Sequence, residues 1–234
     1  VDRVLETVFA ELEKAWGGSS AVKVQMVQKE ASPEAAGIFN ANGLWQIGPM
    51  IIRWGTDEQK DRWVPNILNA DDHWCQGFSE PEAGSDLANL RTTAVLDGDD
   101  YVLNGQKIWI STAHIARWGL FLVRTDPDAI AEGRKHEGIT ALIVDMEADG
   151  IECRPLRDIT GEEMFNEVRF TDTLVPAAYR LGGEGEGWQV AMGLLADTQT
   201  RILFRQSSDQ IAEARELLGL THIEADILPR LARG

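Results

Sequence analysis

From His73 onward the chain breaks into short apolar stretches separated by turn-forming dipeptides, and this texture constrains the fold more than any composition figure. Trp74–Phe78, Thr92–Leu96, Tyr101–Leu103, Lys107–Ile110, Trp118–Arg124 and Ile139–Asp145 follow one another. Ile151–Arg154 and Phe165–Phe170 close the series. Asp97-Gly98 and Asn104-Gly105 are the strongest turn signals, because such pairs accept the positive φ angles that tight hairpins require. The spacing predicts an antiparallel barrel or sandwich of roughly 100 residues, without parallel strands joined by crossover helices. The polar stretch Asp126–Glu137 lies between two of these strands and reads as an excursion loop.

The flanks have a different period. Val1, Val4, Leu5, Val8 and Leu12 recur at helical spacing until Gly17-Gly18 stops the pattern. Leu44, Ile47, Ile51 and Trp54 mark a second amphipathic helix, ended by Gly55. Thr56 and Gln59 match a capping box, in which each side chain satisfies a backbone N–H at a new helix start. Trp63, Ile67 and Leu68 continue that helix, and Pro65 predicts a kink or restart within it. The glycine-rich run Gly182–Gly187 fits no strand–GxGxxG–helix register, and its two glutamates would repel phosphate, so it reads as a linker. Beyond it Trp188, Met192, Leu195, Ile202, Ile211 and Leu218 predict helix. The fold class is therefore α+β. It comprises a helical segment over residues 1–72, a central antiparallel barrel-like domain over 73–181, and the start of a second helical domain over 187–234.

Charge narrows the function classes. Lys plus Arg number 22 against 38 Asp plus Glu, a net charge of −16, which disfavours nucleic-acid backbones and anionic bilayers as partners. No apolar run reaches transmembrane length. The first residues, with acids interspersed, are unlike a signal or transit peptide. Two cysteines, Cys75 and Cys153, form neither a disulfide framework nor a zinc set, and the expected compartment is the reducing cytoplasm. The four histidines have no metal-ligand spacing, and no nucleophile elbow is present.

The segment Gly77-Phe78-Ser79-Glu80-Pro81-Glu82-Ala83-Gly84-Ser85-Asp86 resembles the first signature of the acyl-CoA dehydrogenase family. Asn104 to Ser111 is similar to that family's flavin-stacking strand. Gly161 to Phe170 followed by Val175-Pro176 resembles the end of its β-domain, and Gly187 to Met192 the entry to its C-terminal helices. Gly55 to Lys60 with Pro65 is similar to its pre-barrel helix. These matches fall in the family's order and cover about residues 42–205.

The resemblance implies a flavoprotein binding FAD, with acyl-CoA as substrate and an electron-transfer flavoprotein as redox partner, in a homo- or hetero-oligomer. It implies that Trp109 lies against the flavin ring, with Ile110 beside it, and that Ser111 bonds near its reactive nitrogen. Gln76, Phe78 and Ser79 would contact the ring edge and ribityl chain. Gly84 would let cofactor or substrate pass close. Ser85, Thr125 and Arg201 would meet the CoA portion. Each has a plainer reading: a Trp in a strand is usually core, and Ser79 or Ser111 could serve local turns. The sequence departs from the family at Glu82 and Asn89, and Gly18 to Pro33 matches it poorly. Most of the family's C-terminal helical domain is expected to lie outside this chain. Thr200 stands beside Arg201 where some members carry the catalytic base, so no catalytic residue is assigned, and Glu80 is the first alternative to inspect. A flavin monooxygenase or nitroalkane oxidase shares the scaffold, and a non-catalytic flavin- or CoA-binding partner subunit is the reading from another class.

Overall fold

A computed structural model describes residues 40, 42–159 and 161–196. The first elements are helical. A π-helical turn, Gly43–Ile47, runs directly into α1, Gly48–Trp54. Gly55 breaks the run, and α2, Asp57–Leu68, starts on a complete capping box: Gln59 N donates to Thr56 Oγ1 at 3.3 Å and Thr56 N to Gln59 Oε1 at 3.1 Å. The expected restart at Pro65 does not occur. α2 continues through the proline, because Trp63, Val64, Ile67 and Leu68 are all buried and their packing outweighs one missing N–H.

Eight strands follow in one sheet: β1 Trp74–Gly77, β2 Thr93–Asp97, β3 Asp100–Ser111, β4 Trp118–Arg124, β5 Ile139–Asp145, β6 Ile151–Leu156, β7 Phe165–Pro176 and β8 Arg180–Leu181. Their order is β6-β7-β3-β2-β4-β5-β8, with β1 also paired to β4, so the sheet is open and not a closed barrel. Most ladders are antiparallel, as expected, but β1 runs parallel to β4 and β2 meets β4 in parallel at Thr93 and Arg124. That narrow junction lets the sheet fold onto itself. Phe121 of β4 and Phe170 of β7 meet edge to face at 5.0 Å across the resulting core.

Strand β4 is buried at every position. Leu120 and Leu122 face the helical layer, while Phe121 and Val123 face the inter-sheet core. A strand covered on both faces reads as a continuous apolar run.

The two turn signals had different fates. Asp97-Gly98 closes the β2–β3 hairpin, with Gly98 at φ +63°. Asn104-Gly105 is not a turn: β3 passes through it, and the β3–β7 register shifts between Leu103 and Gly105. Gly105 sits at φ +149°, and a Cβ there would lie 2.6 Å from the Thr92 backbone. A close approach within a bulge, not a chain reversal, is what requires glycine at this position.

The Asp126–Glu137 excursion contains one helical turn, α3, Asp128–Ala131. The Gly182–Gly187 run is more than a linker. Gly185 N donates to Thr140 Oγ1 at 3.0 Å, and Glu186 bridges to Ile139, which pins the entry of α4, Gly187–Ala196, against β5. Asn40 fixes the helical layer to the sheet: its Oδ1 accepts from Trp74 N at 3.2 Å and its Nδ2 donates to Ile67 O at 3.3 Å. Trp63, Trp118 and Tyr179 close around the same seam, with the Arg62 guanidinium 4.8 Å from the Tyr179 ring.

Candidate functional site

Strand β3 carries an irregularity where the sequence matched a flavin-stacking strand. Its register against β7 shifts between Lys107 and Ile110, and Trp109, in the middle of that shift, has φ +61°. A left-handed backbone at a residue with a large side chain is unfavourable by roughly 1–2 kcal/mol. The consequence is an indole turned out of the sheet, 62% exposed and touching Phe165 edge-on at 6.1 Å. Ile110, by contrast, has its side chain inside the inter-sheet core, leaving its backbone as the part able to meet a ligand. Its carbonyl accepts from Asn166 Nδ2 at 3.1 Å, so a buried asparagine from β7 satisfies the group that the bulge displaces.

Beside Trp109 the chain leaving β1 is locked down by ions. Ile108 N donates to Ser79 O at 3.0 Å. The Lys107 ammonium, wholly buried, donates to Phe78 O at 3.1 Å and to Glu80 Oε1 at 2.8 Å. Glu80 also accepts from Arg91 N at 2.6 Å and from Thr92 N at 2.9 Å. Burial pushes the Glu80 carboxyl up, but the Lys107 charge and these donors outweigh it and hold it below the ordinary carboxylate value. Burial likewise pulls Lys107 down, to about 8, against the pull of Glu80 in the other direction. A carboxylate engaged by three donors is not available to abstract a proton, so Glu80 is a clamp and not the alternative base.

These elements enclose a cavity of about 230 Å³. Gln76, Phe78 and Ser79 line it from the β1 side, and Ile108, Trp109 and Ser111 from β3. Asn42 and Gln46 of the helical layer complete it and were missed in the sequence, where they are two polar residues among several. The side chains of Gln76, Ser79 and Ser111 have no hydrogen-bond partner among the described residues.

The remaining candidates lie elsewhere. Gly84 and Ser85 are exposed and outside this cavity, and a Cβ on Gly84 would meet nothing within 4 Å. Any need for a small residue there comes from a ligand and not from the fold. Thr125 Oγ1 and Thr140 Oγ1 are 2.7 Å apart, beside the Gly185 N–H that Thr140 accepts. Arg124 organises the loops around them: its guanidinium donates to Ala88 O at 2.7 Å, Lys135 O at 3.1 Å and Glu137 O at 2.6 Å. Lys135 closes the surface by pairing with Asp86 at 2.7 Å. Arg201 and Thr200 lie outside the described residues. Among the described residues, no group of His, Cys, Asp and Glu side chains could hold a metal ion.

The family model for the acyl-CoA dehydrogenase middle domain matches residues 75–173, the span that carries both the cavity and the Arg124 loops. The chain belongs to the acyl-CoA dehydrogenase family. Acyl-CoA dehydrogenase IpdE1 of Mycobacterium tuberculosis is 40% identical over 207 residues, covering 88% of this chain and 52% of that protein. Among solved structures, an acyl-CoA dehydrogenase from Geobacillus kaustophilus is 34% identical with a TM-score of 0.64, over 70% of this chain and 43% of that one. The ChsE4-ChsE5 complex from Mycobacterium tuberculosis is 34% identical with a TM-score of 0.66, over 91% of this chain and 56% of that one. The chain thus spans about half the length of these relatives. The family binds FAD, and this cavity fits a flat aromatic group with polar edges: an exposed indole face stands beside an amide and two hydroxyls that the fold leaves unused.

Proposed function

We propose that the protein is an FAD-dependent acyl-CoA dehydrogenase, oxidising the α,β bond of an acyl-CoA thioester to the trans-2-enoyl product. The observation that supports this best is Trp109, held out of the sheet at a strained φ into the cavity lined by Ser79 and Ser111. FAD bound there supplies the acceptor for the β-hydride. Trp109 offers the ring an apolar wall and excludes water from one face. Ser111, Ser79 and Gln76 offer hydrogen bonds to the ring edge, where charge gathers as the hydride arrives. The Lys107–Glu80 clamp fixes the Phe78–Ser79 backbone relative to Trp109, so that these contacts are preorganised. Ser85, Thr125 and Arg201 hold the CoA portion, with the 86–90 and 126–137 loops fixed by Arg124.

The α-proton goes to a carboxylate supplied from outside the described residues, and the electrons pass on to an electron-transfer flavoprotein. We place the protein in the cytoplasm as an oligomer; none of the described helices is long and apolar enough to cross a membrane. A non-catalytic partner in a hetero-oligomer is the second reading, favoured by Thr200 beside Arg201 where a base could stand.

Anaerobic mixing with acyl-CoA thioesters of several lengths, followed by flavin absorbance, tests the proposal. Bleaching by the protein supplied with its C-terminal helices supports the enzyme. Bleaching by the 234-residue chain alone would reveal a base within it. Flavin that stays oxidised with every thioester in the longer protein would favour the partner-subunit reading. A Trp109→Ala protein that retains cofactor with an unaltered flavin spectrum would remove Trp109 from the site.

A further inference from the structure

Three side-chain amides stand where the helical layer enters the sheet, and they are used differently. Both ends of the Asn40 amide are bonded, and Asn42 Nδ2 donates to Trp74 O at 3.4 Å. These two hold the helices on β1. Gln46 lines the cavity, and its Oε1 is fully buried with no hydrogen-bond partner among the described residues. Buried amide oxygens nearly always find a partner, whether a protein group, an ordered water or a bound molecule. The backbone adds a second, independent sign. Gln46 sits within the π-helical turn Gly43–Ile47, an irregularity that rotates side chains out of helical register and recurs at functional sites. Gly43, at the start of the same turn, makes room for the Asn40 amide, since a Cβ there would lie 2.5 Å from Asn40 Oδ1.

We propose that Gln46 is a specificity-determining residue whose amide hydrogen-bonds a hydroxyl on the acyl portion of the substrate, so that the site prefers an oxygenated acyl-CoA to the plain alkyl one. This rests on reading the cavity as the flavin and acyl-CoA site. The sheet residues Gln76, Ser79, Trp109 and Ser111 serve the ring, which leaves the helical wall to the substrate. A hydroxyl both gives and accepts a hydrogen bond, matching an amide, whereas a methylene chain would cover the cavity side of the Gln46 amide with carbon. Sites built to bond a substrate hydroxyl discriminate strongly against analogues that lack it.

The test compares the flavin-loaded wild-type protein with Gln46→Leu and Gln46→Met, two apolar replacements of similar size. Octanoyl-CoA and its monohydroxylated derivatives serve as probes. Dissociation constants come from anaerobic calorimetry, and flavin content is measured in parallel. Wild-type protein should bind one hydroxylated isomer roughly tenfold to a hundredfold tighter than octanoyl-CoA. Both variants, or Gln46→Met alone if the leucine protein does not fold, should lose that preference with flavin content unchanged. Equal preference in wild type and variant, a wild-type preference for the plain chain, or loss of flavin in place of loss of discrimination would each overturn the assignment. Wild-type protein that takes up no flavin and binds no thioester would instead overturn the proposed function, a result visible before any variant is made.

Discussion

Lys107 and Arg124 are both cations buried among apolar strands, yet each holds its half of the site by a different device. The Lys107 ammonium is a point charge neutralised by one carboxylate, Glu80, with a single carbonyl, Phe78 O, as its other partner. Arg124 has no carboxylate on its guanidinium among the described residues and spreads its charge over backbone carbonyls of Ala88, Leu90, Lys135 and Glu137. An ammonium suits compact pairing, and a planar fork suits several acceptors on separate segments. The first device fixes one short stretch of backbone rigidly beside Trp109. The second ties two surface loops, 86–90 and 126–137, to the end of β4. The contacts proposed for the flavin ring, which need tight geometry, thus sit on the ion pair, and those proposed for CoA sit on the carbonyl cradle.

This contrast predicts unequal costs. Lys107→Met leaves the Glu80 carboxylate buried without its counter-charge, and breaking such a pair costs about 3–5 kcal/mol. Urea denaturation should show that loss, and removing the carboxylate as well, in Lys107→Met with Glu80→Gln, should recover part of it. A single-variant loss under about 1 kcal/mol would mean that the pair is not the clamp described. Arg124→Lys should cost less, about 1–3 kcal/mol, because it orphans carbonyls that water can reach once the loops loosen. Hydrogen exchange should locate the damage in residues 126–137 and leave β3 protected. Equal loss of protection at Trp109 would erase the division between the two halves.

Local chemistry was readable in advance wherever the partners were near in sequence. The Thr56–Gln59 capping box and the Asp97-Gly98 hairpin each close within a few residues, so the sequence contains the whole argument. Asn104-Gly105 carries the same signature as a hairpin turn, but its conformation is decided by Thr92, twelve residues before Asn104, and by β7 opposite. Arg124 closes the stretch Trp118–Arg124, and nothing near it in sequence announces the four carbonyls that cover it. Gln46 escaped notice because helical spacing makes it one polar residue among several. Only the π-helical turn and the packing on β1 bring it to the cavity. Trp109 was found through its motif, while its left-handed backbone follows from a register shift that no local pattern encodes.

Acid separates the two devices more gently. Because its folded carboxyl titrates below the ordinary value, Glu80 takes up its proton less readily in the folded protein than in the unfolded chain. The unfolded state therefore binds more protons between those two values, and stability rises with pH there. The Glu80 contribution is fully present above the ordinary carboxylate pKa and is lost as pH falls through the folded one. Denaturation midpoints taken between about pH 6 and pH 3 should fall less steeply for Glu80→Gln than for wild type, and Arg124→Lys should keep the wild-type slope. Parallel slopes for all three would show that Glu80 is not protonated on unfolding.

The smallest effect concerns the strain that the ion-pair clamp holds in place. Trp109 has φ +61° and an indole that is mostly solvent-facing, so little of its value to the fold comes from burial. Replacing it removes the contact with Phe165 whatever follows, but the backbone term depends on the replacement. Alanine keeps a Cβ in the left-handed region and keeps the strain, whereas glycine relieves it. In a helix or strand alanine is the more stable of the two by roughly 0.5–1 kcal/mol. At residue 109 that order should invert, with Trp109→Gly more stable than Trp109→Ala by about 1 kcal/mol. Both should retain less FAD than wild type, because neither offers the ring a wall. Urea midpoints of the two purified variants, compared at equal flavin content, measure the difference directly. If alanine is the more stable, the left-handed turn is not a feature of the folded chain. The argument that β3 is bent there to present an aromatic face would then fail, and the Lys107–Glu80 pair would be holding nothing under tension.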